Sequence, residues 1–221
     1  MINIFRRKPV QYPKFWEDYA QSFEQKLPTD LNEIRFVVLD TETTGFDYIH
    51  DRILSIGALT LQNKMIEVSR NLELYLEQDH HNADSIKIHG ILKSEAIYRI
   101  SEEDALQQLL AYLQNAVIIA HHAVFDLNMI NKALERNGLP KLKNPAIDTS
   151  NLYKHTLLTT NLVKKKDHYS LDELADKFDI SKKDRHTAMG DAYITAIAFL
   201  KIKSRLKEKD SLKLKDLLKM G

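Results

Sequence analysis

The chain has 221 residues, 43% of them hydrophobic and 29% charged, with a net charge of +1. That is enough apolar material for one sizeable core with an extension, and too little bulk charge for nucleic-acid binding to rest on overall electrostatics. The absence of cysteine excludes a disulfide framework and a thiol nucleophile and favours a reducing, cytoplasmic setting, and no stretch nears the roughly 18 apolar residues of a membrane span, so no membrane partner is expected.

The opening, MINIFRRKPVQYPKFW, has basic residues with no apolar run behind them, so no secretory leader is expected. Residues 1–33 read as a helical N-terminal extension, with Phe15, Trp16, Tyr19 and Phe23 at helical spacing and Pro28 closing it. IRFVVLD is the first strong strand. ILSIGALTL and KMIEVSRNLELYL follow as two more, joined by a short turn at Gln62, Asn63 and Lys64, which predicts an antiparallel meander. SEEDALQQLLAYLQN is a helix that Ser101 and Asp104 cap, with Ala105, Leu106, Leu109, Leu110 and Leu113 as its apolar stripe. AVIIA is a short buried strand, VFDLNMINKALERNG a helix stopped by Asn137 and Gly138, and AIDT a last short strand. SLDELADKF carries a capping box from Ser170 to Glu173, and TAMGDAYITAIAFLKIKSRL is a long closing helix. The main domain runs over residues 34–203, and a lysine- and leucine-rich tail, expected to be a frayed solvated helix, over 204–221. Three antiparallel strands followed by alternating helices and strands make an α/β fold with a mixed sheet flanked by helices.

The acids depart from this pattern. Asp40 and Glu42 end a hydrophobic strand and, two residues apart, point the same way. At close range they repel by ~4 kcal/mol at an effective dielectric near 20. Asp126 heads the stripe of Met129, Ile130, Ala133 and Leu134, and Asp191 heads that of Ile194, Thr195, Ala198, Phe199 and Ile202, so each faces a core. One acid in a first helical turn is ordinary macrodipole chemistry, and one D-x-E triplet is a weak motif. Four acids on buried faces of three elements, with no basic residue on the same faces, require compensation. Oxygen-ligated divalent ions, Mg²⁺ or Mn²⁺, are the simplest. His186 stands five residues before Asp191, where a neutral imidazole can accept a proton from water near neutral pH.

The motifs DTETTG at Asp40–Gly45, HHAVFD at His121–Asp126 and HTAMGD at His186–Asp191 resemble, in order, those of the histidine branch of the DEDD exonuclease superfamily. That branch is the DnaQ-like one, typified by the proofreading epsilon subunit of bacterial replicative DNA polymerase. The resemblance covers roughly residues 34 to 203 and implies a ribonuclease-H-like fold with a five-stranded sheet. It implies that Asp40 bridges two metal ions, that Glu42 and Asp191 hold the first, that Asp126 holds the second largely through water, and that His186 is the general base. The implied reaction is removal of nucleoside 5′-monophosphates from a 3′ end in proofreading or repair.

Substrate-contact candidates are Thr43 and Thr44 through their amides, Gly45 through the sharp exit from the strand, Phe125 within the second motif, and His89, Gly90 and Ile91 in IKIHGIL. VKKKDHY, residues 163 to 169, reads as a solvated loop that could touch phosphates. The chain departs from the branch at His122, where an asparagine is usual, and His121 and His122 read either as buried helix-start residues or as adventitious ligands. No polymerase segment follows, so a stand-alone nuclease or a separate subunit is expected, with a polymerase or other protein partner reached through residues 1–33 or 204–221. Single-stranded DNA is the favoured substrate. An exoribonuclease trimming short RNA or tRNA ends is the alternative, and an inactive nucleic-acid- or polymerase-binding scaffold the weakest reading.

Overall fold

The structure is a computed structural model and describes residues 11–78, 98–157, 166–207 and 212–221. His89, Gly90 and Ile91 lie outside the described residues, as do Val163, Lys164 and Lys165.

In chain order the elements are α1 (Lys14–Ser22), β1 (Phe36–Thr43), β2 (Ile53–Gln62), β3 (Met65–Tyr75), α2 (Glu102–Leu113), β4 (Val117–Ala120), α3 (Val124–Arg136), β5 (Ala146–Asp148), α4 (Thr149–Lys154), α5 (Leu171–Phe178), α6 (Ala188–Lys207) and α7 (Leu214–Met220). The five strands form one sheet in the order β3-β2-β1-β4-β5. The expected meander is present: β1 to β3 are antiparallel, and β4 and β5 join parallel. Asn63 and Lys64 close the β2–β3 hairpin with both φ angles positive, at 51° and 63°, which matches the right-handed twist of the flanking strands.

Alternation along β1 divides the interior in two. Val37 and Leu39 face α1, α2 and α3 across a core that includes Leu106, Leu110, Met129 and Ile130. Phe36 and Val38 face α4 to α7 across a second core with Leu174, Phe178, Phe199 and Leu217. The predicted stripes of α2, α3 and α6 are the buried faces, because a helix beside a sheet must bury its 3.6-period apolar side. The caps are also as predicted, with the Ser101 side chain accepting from the Asp104 amide and a full capping box between Ser170 and Glu173.

The first and last described helices are tied to these cores. Trp16 and Tyr19 on α1 are 4% and 2% exposed, and the Tyr19 hydroxyl donates to Asn144 Oδ1 at 2.6 Å while accepting from the Lys143 amide at 2.7 Å. The helix stops at Ser22, short of the Pro28 boundary. In the tail, α6 runs on to Lys207, and α7 is docked where a solvated, frayed helix was expected: Leu217 is fully buried in the second core. The short α4 was not read from the sequence. Six residues are too few for an apolar period, and its start is fixed by Asp148, which accepts from the amides of Ser150 and Asn151 at 2.8 and 3.2 Å.

Candidate active site

β1 pairs with β2 along its whole length but with β4 only from Phe36 to Val38. Its last residues therefore emerge beyond β4, at the point where antiparallel pairing gives way to parallel. Crevices outside the carboxyl ends of strands at such switch points are where open α/β sheets bind ligands. Asp40 and Glu42 stand there half-buried, on the face covered by α6.

α6 brings Asp191 to that face, and Gly57 makes the approach possible. Gly57 is the β2 partner of Asp40, and a Cβ there would lie 2.3 Å from the backbone of Ala188 and Met189. The first turn of α6 thus rests directly on the sheet beside the acid. Thr187 caps that turn, its hydroxyl accepting from the Gly190 amide at 3.1 Å. Oxygens of Asp40, Glu42 and Asp191 lie within 4.8 Å of one another.

Asp126 arrives from the opposite face. At 3% exposure, its Oδ1 accepts from the Thr41 amide at 3.0 Å and the Thr41 hydroxyl at 2.7 Å, so it is locked to the residue between Asp40 and Glu42. It stands outside the close triplet but raises the pKa of Asp40, second only to desolvation. Asp148 supports this arrangement, because its Oδ2 accepts the Ala123 amide at 2.9 Å at the start of α3.

All four acids are pushed upward. Asp40 is held well above the carboxylate range by desolvation and then by Asp126, Asp191 and Glu42. Glu42 rises to about 7 through desolvation and Asp191. Asp126 rises to about 7 because desolvation outweighs the two bonds from Thr41. Desolvation raises Asp191 as well, opposed by Arg185 and the His186 amide. A set of carboxylate oxygens under mutual repulsion fits hard divalent cations, which favour oxygen ligands and supply the missing positive charge.

The expectation that no basic residue shares these faces needs correction. Arg185 forms an ion pair with Asp191 Oδ2 and also donates to Asp172 on α5. It was missed because it lies in the loop before α6, outside any helical period. His186, next in the chain, is exposed, with a left-handed φ of 65°, and its amide lies 3.3 Å from Asp191 Oδ1.

The β1–β2 loop is tightly built. Thr43 Oγ1 donates to the Gly45 carbonyl at 2.7 Å, and Thr44 Oγ1 to Asp51 at 2.7 Å. Gly45 gives the Asp51 side chain room: its φ is not positive, but a Cβ would lie 2.4 Å from the Asp51 carboxylate, which would have to move off its bonds to Thr44 and the Asp47 amide. The loop presents Phe46, 83% exposed, whose ring centroid is 5.7 Å from that of Phe125, with Tyr48 at 5.8 Å on the same ring. Sequence reasoning singled out Phe125 but missed Phe46 and Tyr48, since a lone aromatic in a loop gives no periodic signal. His121 answers to the buried helix-start reading: its Nδ1 is 2.9 Å from Thr149 Oγ1, and burial pushes its pKa down to about 4. His122, half-buried with φ 58°, lies between the rings of His121 and His168. A cleft of about 520 Å³ beside the His186 loop, lined by Leu59, Val68, Met189 and Tyr193 among others, includes none of the four acids.

Comparison with known proteins agrees with this architecture. The family model RNase_T, described as Exonuclease, matches residues 37–199. The chain is 33% identical over 177 residues to the PolC-type DNA polymerase III of Caldanaerobacter subterraneus subsp. tengcongensis, covering 80% of this chain and 12% of that polymerase. It is 33% identical over 173 residues to the same polymerase type from Thermotoga petrophila, covering 78% and 12%. The chain thus spans only about an eighth of the length of these relatives. Among solved structures, E. coli exonuclease I in complex with a dT13 oligonucleotide superposes with a TM-score of 0.67 at 19% identity, covering 80% of this chain and 42% of that one. Exonuclease X in complex with 5′ overhanging duplex DNA gives 0.61 at 20% identity, covering 85% and 98%. These likenesses identify the sheet and its helices as the ribonuclease-H-like exonuclease fold. The chain belongs to the exonuclease family, as a DnaQ-like member of the DEDD superfamily.

Proposed function

We propose that this chain hydrolyses terminal phosphodiesters at the 3′ end of DNA, single-stranded or frayed, and releases nucleoside 5′-monophosphates in proofreading or repair in the cytoplasm. The observation that carries the reading is the carboxylate crevice, with Asp40, Glu42 and Asp191 within 4.8 Å and Asp126 fixed across Thr41. Asp40, Glu42 and Asp191 are assigned to hold one divalent ion, and Asp40 with Asp126 a second, Mg²⁺ or Mn²⁺. When bound, two such ions would supply charge neutralisation of the phosphate and stabilisation of the entering and leaving oxygens of an in-line displacement. His186 is assigned as the general base that takes a proton from the attacking water, a role suited to an exposed imidazole beside the acids. Phe46, Tyr48 and Phe125 offer an apolar platform on which terminal bases can stack. The Thr43 and Thr44 backbone and Gly45 form the floor of the loop carrying that platform. A polymerase partner is supported by the PolC-type relatives, and residues 1–33 and 204–221 are the surfaces proposed to meet it.

The test is digestion of matched 5′-labelled single-stranded DNA and RNA oligonucleotides with Mg²⁺, with Mn²⁺ and with chelator. Metal-dependent shortening of the DNA from its 3′ end is the expected result. Faster shortening of the RNA would reassign the chain as an exoribonuclease. Cleavage of neither by the folded, metal-loaded protein would overturn the enzymatic reading in favour of a binding scaffold.

A further inference from the structure

Arg185 has no part in the proposed chemistry, yet it sits at its centre. Its Nε donates to Asp172 Oδ1 at 2.9 Å and its Nη2 reaches Asp172 Oδ2 at 3.4 Å, while Nη1 pairs with Asp191 Oδ2. The Arg185 side chain is 17% exposed, Asp191 only 7%, and Asp172 47%. The guanidinium therefore spans an enclosed carboxylate of the crevice and an open one at the start of α5. The other oxygen of Asp191 faces the His186 amide at 3.3 Å. Both oxygens of Asp191 are thus engaged, although the same carboxylate belongs to the triplet with Asp40 and Glu42.

A guanidinium and a divalent ion cannot share one carboxylate freely. They repel each other, and each draws on the same lone pairs. Asp172 offers a second seat, with two acceptors matched to the planar fork of arginine, a geometry that lysine lacks. We propose that Arg185 is a resident counter-cation that competes with the divalent ion for Asp191, and that Asp172 retains the guanidinium when the ion binds. Arg185 is then a positioning residue, holding Asp191 and the neighbouring His186 backbone in register before metal arrives. The inference rests on the proposed reading of Asp191 as a metal ligand.

The competition is read in metal affinity. Arg185→Gln removes the competitor and is expected to lower the Kd for Mn²⁺ by roughly five- to tenfold, the scale of one charge-assisted contact in a partly solvated site. Asp172→Asn removes the second seat, leaves the guanidinium on Asp191 alone, and is expected to raise that Kd. Because through-space charge alone moves the two variants in these opposite directions, Arg185→Lys discriminates: it keeps the charge and loses the fork that seats on Asp172, so simple electrostatics leaves its Kd at the wild-type value and competition raises it. The measurement is calorimetric titration of Mn²⁺ into the full chain and each variant, with Asp40→Asn as a site control. Thermal melts in chelator and in Mn²⁺ accompany it, and the melting-temperature gain on adding Mn²⁺ should be larger for Arg185→Gln than for wild type. Should Arg185→Gln fail to fold, Arg185→Lys keeps the charge but loses the fork, and its Kd is expected to shift as in Asp172→Asn. Shifts of the same sign in Arg185→Gln and Asp172→Asn, or no shift in either, would overturn the competition. Wild-type binding that Asp40→Asn leaves intact would instead overturn the metal reading itself.

Discussion

Residue by residue, the crevice makes separable predictions about catalysis, substrate and protonation. His186 lies at an exposed left-handed position next to Asp191, so His186→Ala should lower kcat by roughly two to four decades, the usual worth of a general base, with Mn²⁺ affinity retained. Near-wild-type turnover in single-turnover assays would remove His186 from that role. Phe46 is 83% exposed against Phe125, which is unfavourable for an isolated side chain and suited to a base. Phe46→Ala should weaken oligonucleotide binding by about 1–3 kcal/mol, the scale of one stacked base, read by fluorescence anisotropy in Ca²⁺, and leave the melting temperature unchanged. The acids give a pH dependence with a definite sign. Glu42 and Asp126 are raised to about 7 in the folded chain from ordinary values near 4. Groups raised in this way hold extra protons when folded, so their contribution to stability is present below about pH 4 and lost as pH rises through about 7. In chelator, the wild-type melting temperature should therefore fall from pH 5 to 8 more steeply than that of Glu42→Gln, which cannot ionise. Parallel curves would show that the carboxylate is not held protonated.

At the scale of elements, the site depends on how closely α6 lies on β2. Gly57 faces the Ala188 and Met189 backbone at a distance no Cβ tolerates, and backbone cannot swing aside as a side chain can. Gly57→Ala should displace the first turn of α6, costing about 1–3 kcal/mol as other overpacked sites do, and should separate Asp191 from Asp40. Mn²⁺ affinity and kcat should both fall at temperatures where the variant remains folded by circular dichroism. An unaltered Kd would show that α6 has another way to seat Asp191. This contact also marks the limit of what the sequence discloses. The strands, the stripes of α2, α3 and α6, the caps at Ser101 and Ser170 and the acids at the heads of stripes are all legible, because each rests on local spacing or on a local capping bond. Gly57 reads only as a small residue within a strand until its neighbour across the interface is known. Arg185, Asp148 and Phe46 are silent for the same reason: their partners Asp172 and Asp191, Ala123, and Phe125 lie on other elements or in other turns. The tail was misjudged because Leu212, Leu214, Leu217 and Leu218 among lysines suit a solvated helix as well as a docked one, and only the β5 side of the second core decides between them.

Across the whole molecule, the sheet separates two cores, and the helices α1 and α7 anchor in different ones. Trp16 of α1 packs on the α2–α3 side with Tyr19, ring centroids 5.1 Å apart, while Leu217 of α7 packs on the α6 side. Truncating a buried tryptophan to alanine costs about 3–5 kcal/mol and a buried leucine about 2–5 kcal/mol, so each variant should lower the urea midpoint markedly without changing the m-value. Because the two side chains share no cluster and the β-sheet lies between them, the double variant Trp16→Ala, Leu217→Ala should lose the sum of the single losses to within about 0.5 kcal/mol. A larger coupling would mean that the two helices communicate through the sheet, and so through the β1 strand that carries Asp40 and Glu42. The activity of each single variant, assayed well below its melting temperature, checks the same point independently. Retained kcat with lowered stability places both helices in the scaffold, whereas a fall in kcat shared by both variants would tie the cores to the position of the acids at the end of β1.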